Sequence, residues 1–207
     1  MLILFDRLWD ILVENRRVYF VLNALYYGLI ILCMLYASVD RALHDNVLET
    51  YRASLLGSPI LVEGKPDSIL EAFELVGVTF GINVLGANYA SITLPSFIVP
   101  FVGIAAGLYR AAILGIGFAP VDPTISRIFF PHLPTLLLEG QGSILAMLSA
   151  YIHGRAWLWP ATVGQKSRWK AYVEGVRQSG TLYMLIMPVM LISAIYGVIE
   201  SVMLATP

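Results

Sequence analysis

Two residues of opposite charge, Arg110 and Glu139, lie in stretches of sequence that are otherwise largely apolar. A charged side chain inside a bilayer is costly and marks either a functional site or a contact that locks helices together. The topology predicted below places both residues at comparable depth, so we expect a buried ion pair. In a functional site the pair would belong to a proton or substrate path. The structural lock is favoured, because one pair without further ionisable groups makes a poor proton relay.

Uncharged polar residues accompany the pair. Gln141 follows Glu139 by two residues, and Asn83 and Asn88 lie in another apolar stretch. Interhelical hydrogen bonds of this kind contribute about 1 kcal/mol each, so helix packing is favoured over ligand binding. Because the asparagines are five residues apart, an α-helix would direct them to somewhat different faces.

Small residues recur at four-residue intervals on both sides of Arg110. Gly103, Gly107, Ala111 and Gly115 form this series, which is typical of helices that approach one another closely. We expect the series to pack inside the molecule rather than at a dimer interface.

The sequence contains no pattern typical of catalysis or metal binding. The three histidines (His44, His132 and His153) are scattered, and the single cysteine, Cys33, excludes a cysteine-rich metal site. The segment Gly140–Ser143 lacks the G-x-S-x-G nucleophile elbow, and no phosphate-binding glycine loop occurs. We therefore predict that the protein is not an enzyme and has no metal and no cofactor.

Composition explains where these residues must lie. Of 207 residues, 58% are hydrophobic and only 13% are charged, whereas soluble domains have about 45–50% and 25%. So little charge cannot cover a water-facing surface, and the chain is predicted to be an integral membrane protein. A net charge of -1 also leaves no basic footprint for nucleic acid.

Apolar segments long enough to cross a bilayer predict the fold. They are residues 18–39, 75–94, 97–118, 134–153 and 181–204, which give an all-α, polytopic membrane helix bundle with about five transmembrane helices in a single domain, 1–207. Residues 1–17 have amphipathic spacing and predict a helix in the membrane interface. An equal alternative is that this helix packs on the others.

The distribution of basic residues predicts the orientation. One side carries Arg7, Arg16, Arg17, Arg155, Lys166, Arg168, Lys170 and Arg177, and the other carries only Arg41, Arg52, Lys65 and Arg127. We expect a cytoplasmic N-terminus and an external C-terminus in the cell inner (cytoplasmic) membrane, with an external loop at 40–74 and a cytoplasmic loop at 154–180. Asp67 or Ser68 is expected to cap the helix that enters the second span.

Short motifs in the second to fourth segments resemble the stage II sporulation protein M family. Phe80-x-x-Asn83 opens the second segment, a glycine-rich segment follows, and Leu133–Pro134 precede the intramembrane Glu139. The resemblance covers roughly residues 75–160.

The second motif departs from the family pattern at two positions. Members typically have Leu-Pro-His-Gly-x-x-Glu, whereas Thr135 and Leu136 stand here in place of histidine and glycine. The resemblance implies a partner role, because in spore formers such proteins join peptidoglycan-degrading enzymes in the complex that drives engulfment.

The sequence thus predicts a non-enzymatic scaffold or accessory subunit of a larger membrane protein complex. Its expected partners are other membrane proteins, a second copy of the chain, and the lipid bilayer. The alternative is a permease or channel component with a polar path lined by Arg110, Glu139, Gln141, Asn83 and Asn88.

Overall fold

The predicted all-α fold is confirmed by a computed structural model that describes residues 2–55, 66–121 and 123–205. These residues contain seven helices and no strand. The helices are α1 (Leu2–Glu14), α2 (Arg16–Val39), α3 (Arg41–Leu55), α4 (Ile69–Ile98), α5 (Val102–Gly117), α6 (Pro123–Leu158) and α7 (Arg168–Ala205). A short 3₁₀ turn, Pro160–Val163, lies between α6 and α7.

Four of these helices, α2, α4, α6 and α7, are long and apolar enough to cross a membrane. The predicted span 97–118 is shorter in the structure, because α5 has only 16 residues and extends about 24 Å at 1.5 Å per residue. The helix is interrupted between α4 and α5, so the first residues of the predicted span do not belong to α5. Pro100 disfavours helical backbone at the preceding residue, and Val99 is indeed extended. Phe101 then adopts a left-handed conformation with φ 67°.

The other predicted spans begin too late or end too early. The span predicted at 134–153 belongs to α6, which starts at Pro123 and continues through Pro131 and Pro134. In the sequence Pro134 indicates a helix boundary, yet membrane helices tolerate proline where neighbouring groups satisfy the freed backbone. The span predicted at 75–94 lies within the longer α4, and the one at 18–39 begins two residues earlier in α2.

The predicted cytoplasmic loop 154–180 is also largely helical. The end of α6, the 3₁₀ turn and the first turns of α7 occupy most of it. The predicted last span, 181–204, begins later than α7 because charged residues in the first turns of α7 lower the hydropathy there. Those residues are Arg168, Lys170, Glu174 and Arg177.

The predicted external loop 40–74 contains α3 and the beginning of α4. Ser68 caps α4, as predicted for Asp67 or Ser68, and its side chain accepts a hydrogen bond from the Glu71 backbone N–H at 3.2 Å. Glu71 in turn accepts from the Asp67 backbone N–H at 2.6 Å. Residues 56–65, which include the predicted external Lys65, lie outside the described residues.

The amphipathic helix α1 combines features of both predicted alternatives. Leu8 and Ile11 are buried in the core, and Arg7 contacts Glu174 of α7 at 2.6 Å. On its other side, Phe5 and Trp9 are exposed. Helix α1 therefore packs on the bundle and also presents an apolar stripe away from it.

Helix α6 lies at the centre of the bundle and packs against α2, α4, α5 and α7. Its middle, from Ile144 to Leu148, is entirely buried.

The α5 glycines permit close approach between helices inside the same bundle. A Cβ at Gly103 would collide with the Ile92 carbonyl of α4, and one at Gly115 would collide with the Ile30 carbonyl of α2. A Cβ at Gly107 would collide with the Met147 side chain of α6, so the series packs internally.

Candidate functional site

The structure brings the two predicted charged residues together with one of the asparagines. The Arg110 Nη2 of α5 lies 3.5 Å from the Glu139 Oε2 of α6. Asn83 of α4 donates a hydrogen bond from Nδ2 to the Glu139 Oε1 at 2.8 Å. One carboxylate therefore connects three helices. We call Asn83, Arg110 and Glu139 the central cluster.

The central cluster is enclosed but not sealed. The side chains of Arg110 and Glu139 remain 24% and 18% exposed. The hydrogen bond from Asn83 is short, whereas the contact with Arg110 is at the limit for hydrogen bonding. Asn83 therefore positions the carboxylate, and Arg110 mainly balances its charge.

Several polar atoms around the central cluster have unused hydrogen-bonding capacity. Among the described residues, the buried Arg110 Nε has no hydrogen-bond partner, and neither has the Ser143 hydroxyl. The fully buried Tyr26 hydroxyl lies beside Arg110 and Ser143 without reaching hydrogen-bond geometry. The centre of the bundle thus contains two buried hydroxyl groups in addition to the ion pair.

The backbone of α4 explains how both asparagines face the centre. Residues Ile82–Thr93 form a π-helix, in which hydrogen bonds join residues five apart. Asn88 donates from its side chain to the Asn83 carbonyl at 2.9 Å. Both asparagines are buried, and the Asn88 Nδ2 lies 3.5 Å from the position of a Cβ at Gly142 of α6.

This arrangement corrects the expectation that Asn83 and Asn88 point to different faces. Five residues turn an α-helix about 140° beyond a full turn. The wider π-helix brings residues five apart nearly into line, so both side chains face α6.

Gln141 belongs to a separate network on the α2 side of α6. Its Nε2 donates to the Asn23 Oδ1 at 2.8 Å and to the Tyr27 hydroxyl at 3.1 Å. Its Oε1 accepts from the Tyr19 hydroxyl at 2.6 Å. The five predicted polar residues therefore do not line one path. The α2 partners of Gln141 are not among the residues predicted from the sequence, although their spacing of four residues is the signal of a polar helix face.

A cavity of about 690 Å³ lies beside the central cluster, between α3, α4 and α5. Arg110 forms part of its wall. Most of the other lining residues are apolar, and the polar ones are Asn46, Thr50, Ser91 and Tyr109. The guanidinium of Arg110 thus connects the buried carboxylate with a space large enough for a small molecule.

A second buried carboxylate, which sequence reasoning did not assign to a site, lies near the end of α7. Glu200 contacts the His132 Nδ1 at 3.0 Å and accepts a hydrogen bond from the Thr135 hydroxyl at 3.1 Å. His132 also stacks on Phe118, with ring centroids 4.7 Å apart. The early start of α6 creates this group, because it places His132 and Thr135 one turn apart on the same helix.

The other histidines lie apart from both carboxylates. His44 is buried, with its Nδ1 3.0 Å from Asp45, and His153 packs between the rings of Phe97 and Tyr172 at 4.8 and 4.7 Å. Within residues 2–55, 66–121 and 123–205, no three His, Cys, Asp or Glu side chains are placed to hold a metal ion.

Comparison of the chain with protein-family models, with curated proteins and with solved structures finds no match. The chemistry of the site therefore has to be judged from its geometry. The central cluster offers a hydrogen-bonded carboxylate, a partly paired guanidinium and an adjoining cavity.

Proposed function

We propose that this chain is a non-enzymatic membrane subunit of a larger protein assembly, and that the central cluster locks α4, α5 and α6 together. The observation that supports this most is that Glu139 is held from two sides, by Asn83 and by Arg110, each on a different helix. Both charges then have their partners within the chain. A bundle fixed in this way is a rigid surface for other membrane proteins.

The resemblance to the stage II sporulation protein M family favours the same proposal. Its two motifs are far apart in sequence, yet Asn83 of the first contacts Glu139 of the second at 2.8 Å. Motif residues that contact each other in the interior are consistent with a shared structural role. The family implies a partner role, and we extend that role to this chain as part of the proposal.

Purification of the native assembly tests the subunit role. The chain is extracted from its own membranes in a mild detergent, and co-eluting chains are identified and quantified by mass spectrometry. We expect at least one other membrane protein in constant ratio to this chain across the elution peak and through a second separation. Recovery of this chain only as a free monomer would contradict the proposal.

We further propose that the chain lies in the cytoplasmic membrane with its N-terminus in the cytoplasm. The supporting observation is that Arg16, Arg17 and Arg155 line one cleft, so basic residues from the start of α2 and the end of α6 share one end of the bundle. Such an excess of basic residues is typical of the cytoplasmic side.

Labelling of single cysteines tests this orientation. In a Cys33→Ser background, Asp67→Cys should react with an impermeant maleimide on intact cells. Lys166→Cys should react only after the cells are permeabilised. The reverse pattern would overturn the proposed topology.

A permease component is the second candidate, and the cavity beside Arg110 is the observation that favours it. In this case Arg110 and Glu139 would exchange a proton or ligand with the cavity. Proteoliposomes containing the purified assembly and a trapped pH-sensitive dye would show a proton flux that Glu139→Gln abolishes while helical content is unchanged. If a folded Glu139→Gln variant keeps the flux, or if neither protein carries any, the proton-path form of this candidate is excluded.

A further inference from the structure

A second cleft lies at the junction of α1 and α2, well away from the central cluster. It has a volume of about 470 Å³ and is lined by residues 13–18 and by Arg155. Arg16 and Arg17 begin α2, whereas Arg155 lies near the end of α6. Two helices thus bring three guanidinium groups to one concave surface.

These positive charges lie apart from the carboxylates of the described residues. Among the described residues, none of the three arginines lies within 4.0 Å of a carboxylate. The Arg155 Nε is buried without a hydrogen bond, and its guanidinium lies 5.5 Å from the Tyr151 ring centroid. The only acidic residue in the lining is Glu14, so the cleft has a net positive charge that favours an anion.

The backbone adds to this preference. Helix α2 begins at Arg16, and its N-cap residue, Asn15, makes no side-chain capping bond. The beginning of α2 therefore adds the partial positive charge of a helix N-terminus. Asn15 also belongs to the cleft lining, is only 3% exposed, and has an Oδ1 without a hydrogen-bond partner among the described residues.

The position of α1 identifies the surroundings of the cleft. Its exposed residues Phe5, Trp9 and Val13 recur every four positions and form an apolar stripe typical of a helix in the membrane interface. Tryptophan favours the level of the lipid headgroups. A cleft at the C-terminal end of this helix is therefore at the depth of the lipid phosphates.

We propose that the cleft binds a phosphate group carried by the headgroup of an acidic phospholipid. Arginine suits this role because its planar guanidinium can form two parallel hydrogen bonds to phosphate oxygens. Soluble phosphate shares the recognised chemistry and is the other possible source of the ligand.

Lipid titration of the purified full-length chain tests this proposal. Native mass spectrometry would measure retention of phosphatidylglycerol and of phosphatidylcholine, with and without millimolar inorganic phosphate. We expect phosphatidylglycerol to be retained at least tenfold better. Each of the substitutions Arg16→Gln, Arg17→Gln and Arg155→Gln should lower the affinity for phosphatidylglycerol about fivefold, because each removes charge-assisted hydrogen bonds to the phosphate.

A matched variant separates a defined site from general electrostatics. Lys166→Gln, Arg168→Gln and Lys170→Gln together remove the same charge from exposed positions close to the start of α7. This variant should retain phosphatidylglycerol within twofold of the wild type. Equal losses in this variant and in the cleft variant, which combines Arg16→Gln, Arg17→Gln and Arg155→Gln, would overturn the proposal, as would no loss in the cleft variant.

Two further results keep the test decisive. If the cleft variant fails to fold, Glu14→Gln alone provides the test. It should raise phosphatidylglycerol retention severalfold, because it removes the negative charge from the lining. Unchanged or lower retention would contradict the site. Displacement of the lipid by inorganic phosphate, through the same arginines, would support the anion site and identify free phosphate as a ligand. Persistence of the lipid would identify the headgroup.

Discussion

Glu139 has two partners, and they differ in the type of contact. Asn83 donates to it at 2.8 Å, whereas Arg110 lies 3.5 Å from its other oxygen. The amide therefore fixes where the carboxylate lies, and the guanidinium compensates its charge. Removal of either partner leaves the carboxylate in a less favourable environment.

At this scale we predict that Asn83→Leu destabilises the bundle by about 1 kcal/mol. A hydrogen bond to a charged group contributes more than this in soluble proteins, whereas bonds between membrane helices average less. Reversible unfolding in mixed micelles, followed by circular dichroism, measures the difference. Asn46→Leu is the control, since Asn46 is exposed on α3 and its substitution should change stability by under about 0.5 kcal/mol. Equal effects of the two substitutions would argue against a role for Asn83 in holding Glu139.

The sequence predicts the contact between Arg110 and Glu139, because a charged side chain inside an apolar segment needs a partner of opposite charge. It also groups Asn83 with this pair as part of a polar path, but residue types alone do not predict the hydrogen bond from Asn83 to Glu139. It also missed the contact of Glu200 with His132 and Thr135. That contact requires α6 to continue through Pro131 and Pro134, which local patterns do not reveal.

At the scale of single elements, α5 depends on close contacts on several sides. Gly103 faces the Ile92 carbonyl and the Ser96 hydroxyl of α4. Ser96 in turn accepts a hydrogen bond from the Gly103 backbone N–H at 2.8 Å. The beginning of this short helix therefore has no space for a larger side chain.

We predict that Gly103→Ala destabilises the protein by about 1–3 kcal/mol, the usual cost of overpacking. Gly117→Ala is the matched control on the same helix, because nothing lies within 4 Å of a Cβ there. Thermal unfolding of the two variants in the same detergent provides the comparison. If Gly103→Ala is as stable as Gly117→Ala, α4 and α5 are not packed as described.

The π-helix of α4 predicts an unusual periodicity of burial. The buried positions are Asn83, Val84, Asn88, Ile92 and Thr93. Asn83, Asn88 and Thr93 are five residues apart, and Val84, Asn88 and Ile92 are four apart, so burial recurs at a wider interval than in an α-helix. Spin labels placed one at a time along residues 82–93, in a Cys33→Ser background, should give minima of oxygen accessibility at these positions. Minima every 3.6 residues would show that the segment is an ordinary α-helix.

The sequence predicted the presence of the long helices better than their ends. Apolar composition alone identifies α2, which has no charge after Arg17. The beginning of α7 is hidden because its first turns carry charge, and one of these residues, Glu174, pairs with Arg7 of α1. Such a contact between distant elements cannot be derived from hydropathy, which considers each segment alone.

At the scale of the whole molecule, polar groups at three levels give the bundle its organisation. Glu200 and His132 lie at one end, the central cluster lies in the middle, and the cleft with Arg16 and Arg155 lies at the other end. Helix α6 contributes a residue to every level. Polar contacts at these three levels therefore hold α6 in the bundle, in addition to apolar packing.

The most direct test of the lock is a double-mutant cycle on Arg110 and Glu139, measured as free energies of unfolding in mixed micelles. Arg110→Met or Glu139→Leu alone should cost about 2 kcal/mol. This is below the 3–5 kcal/mol for breaking a fully buried pair, because the two side chains are 24% and 18% exposed. The double variant should recover at least half of that loss, since an apolar pair can replace a buried ion pair. Additive losses, or single variants as stable as the wild type, would contradict the lock.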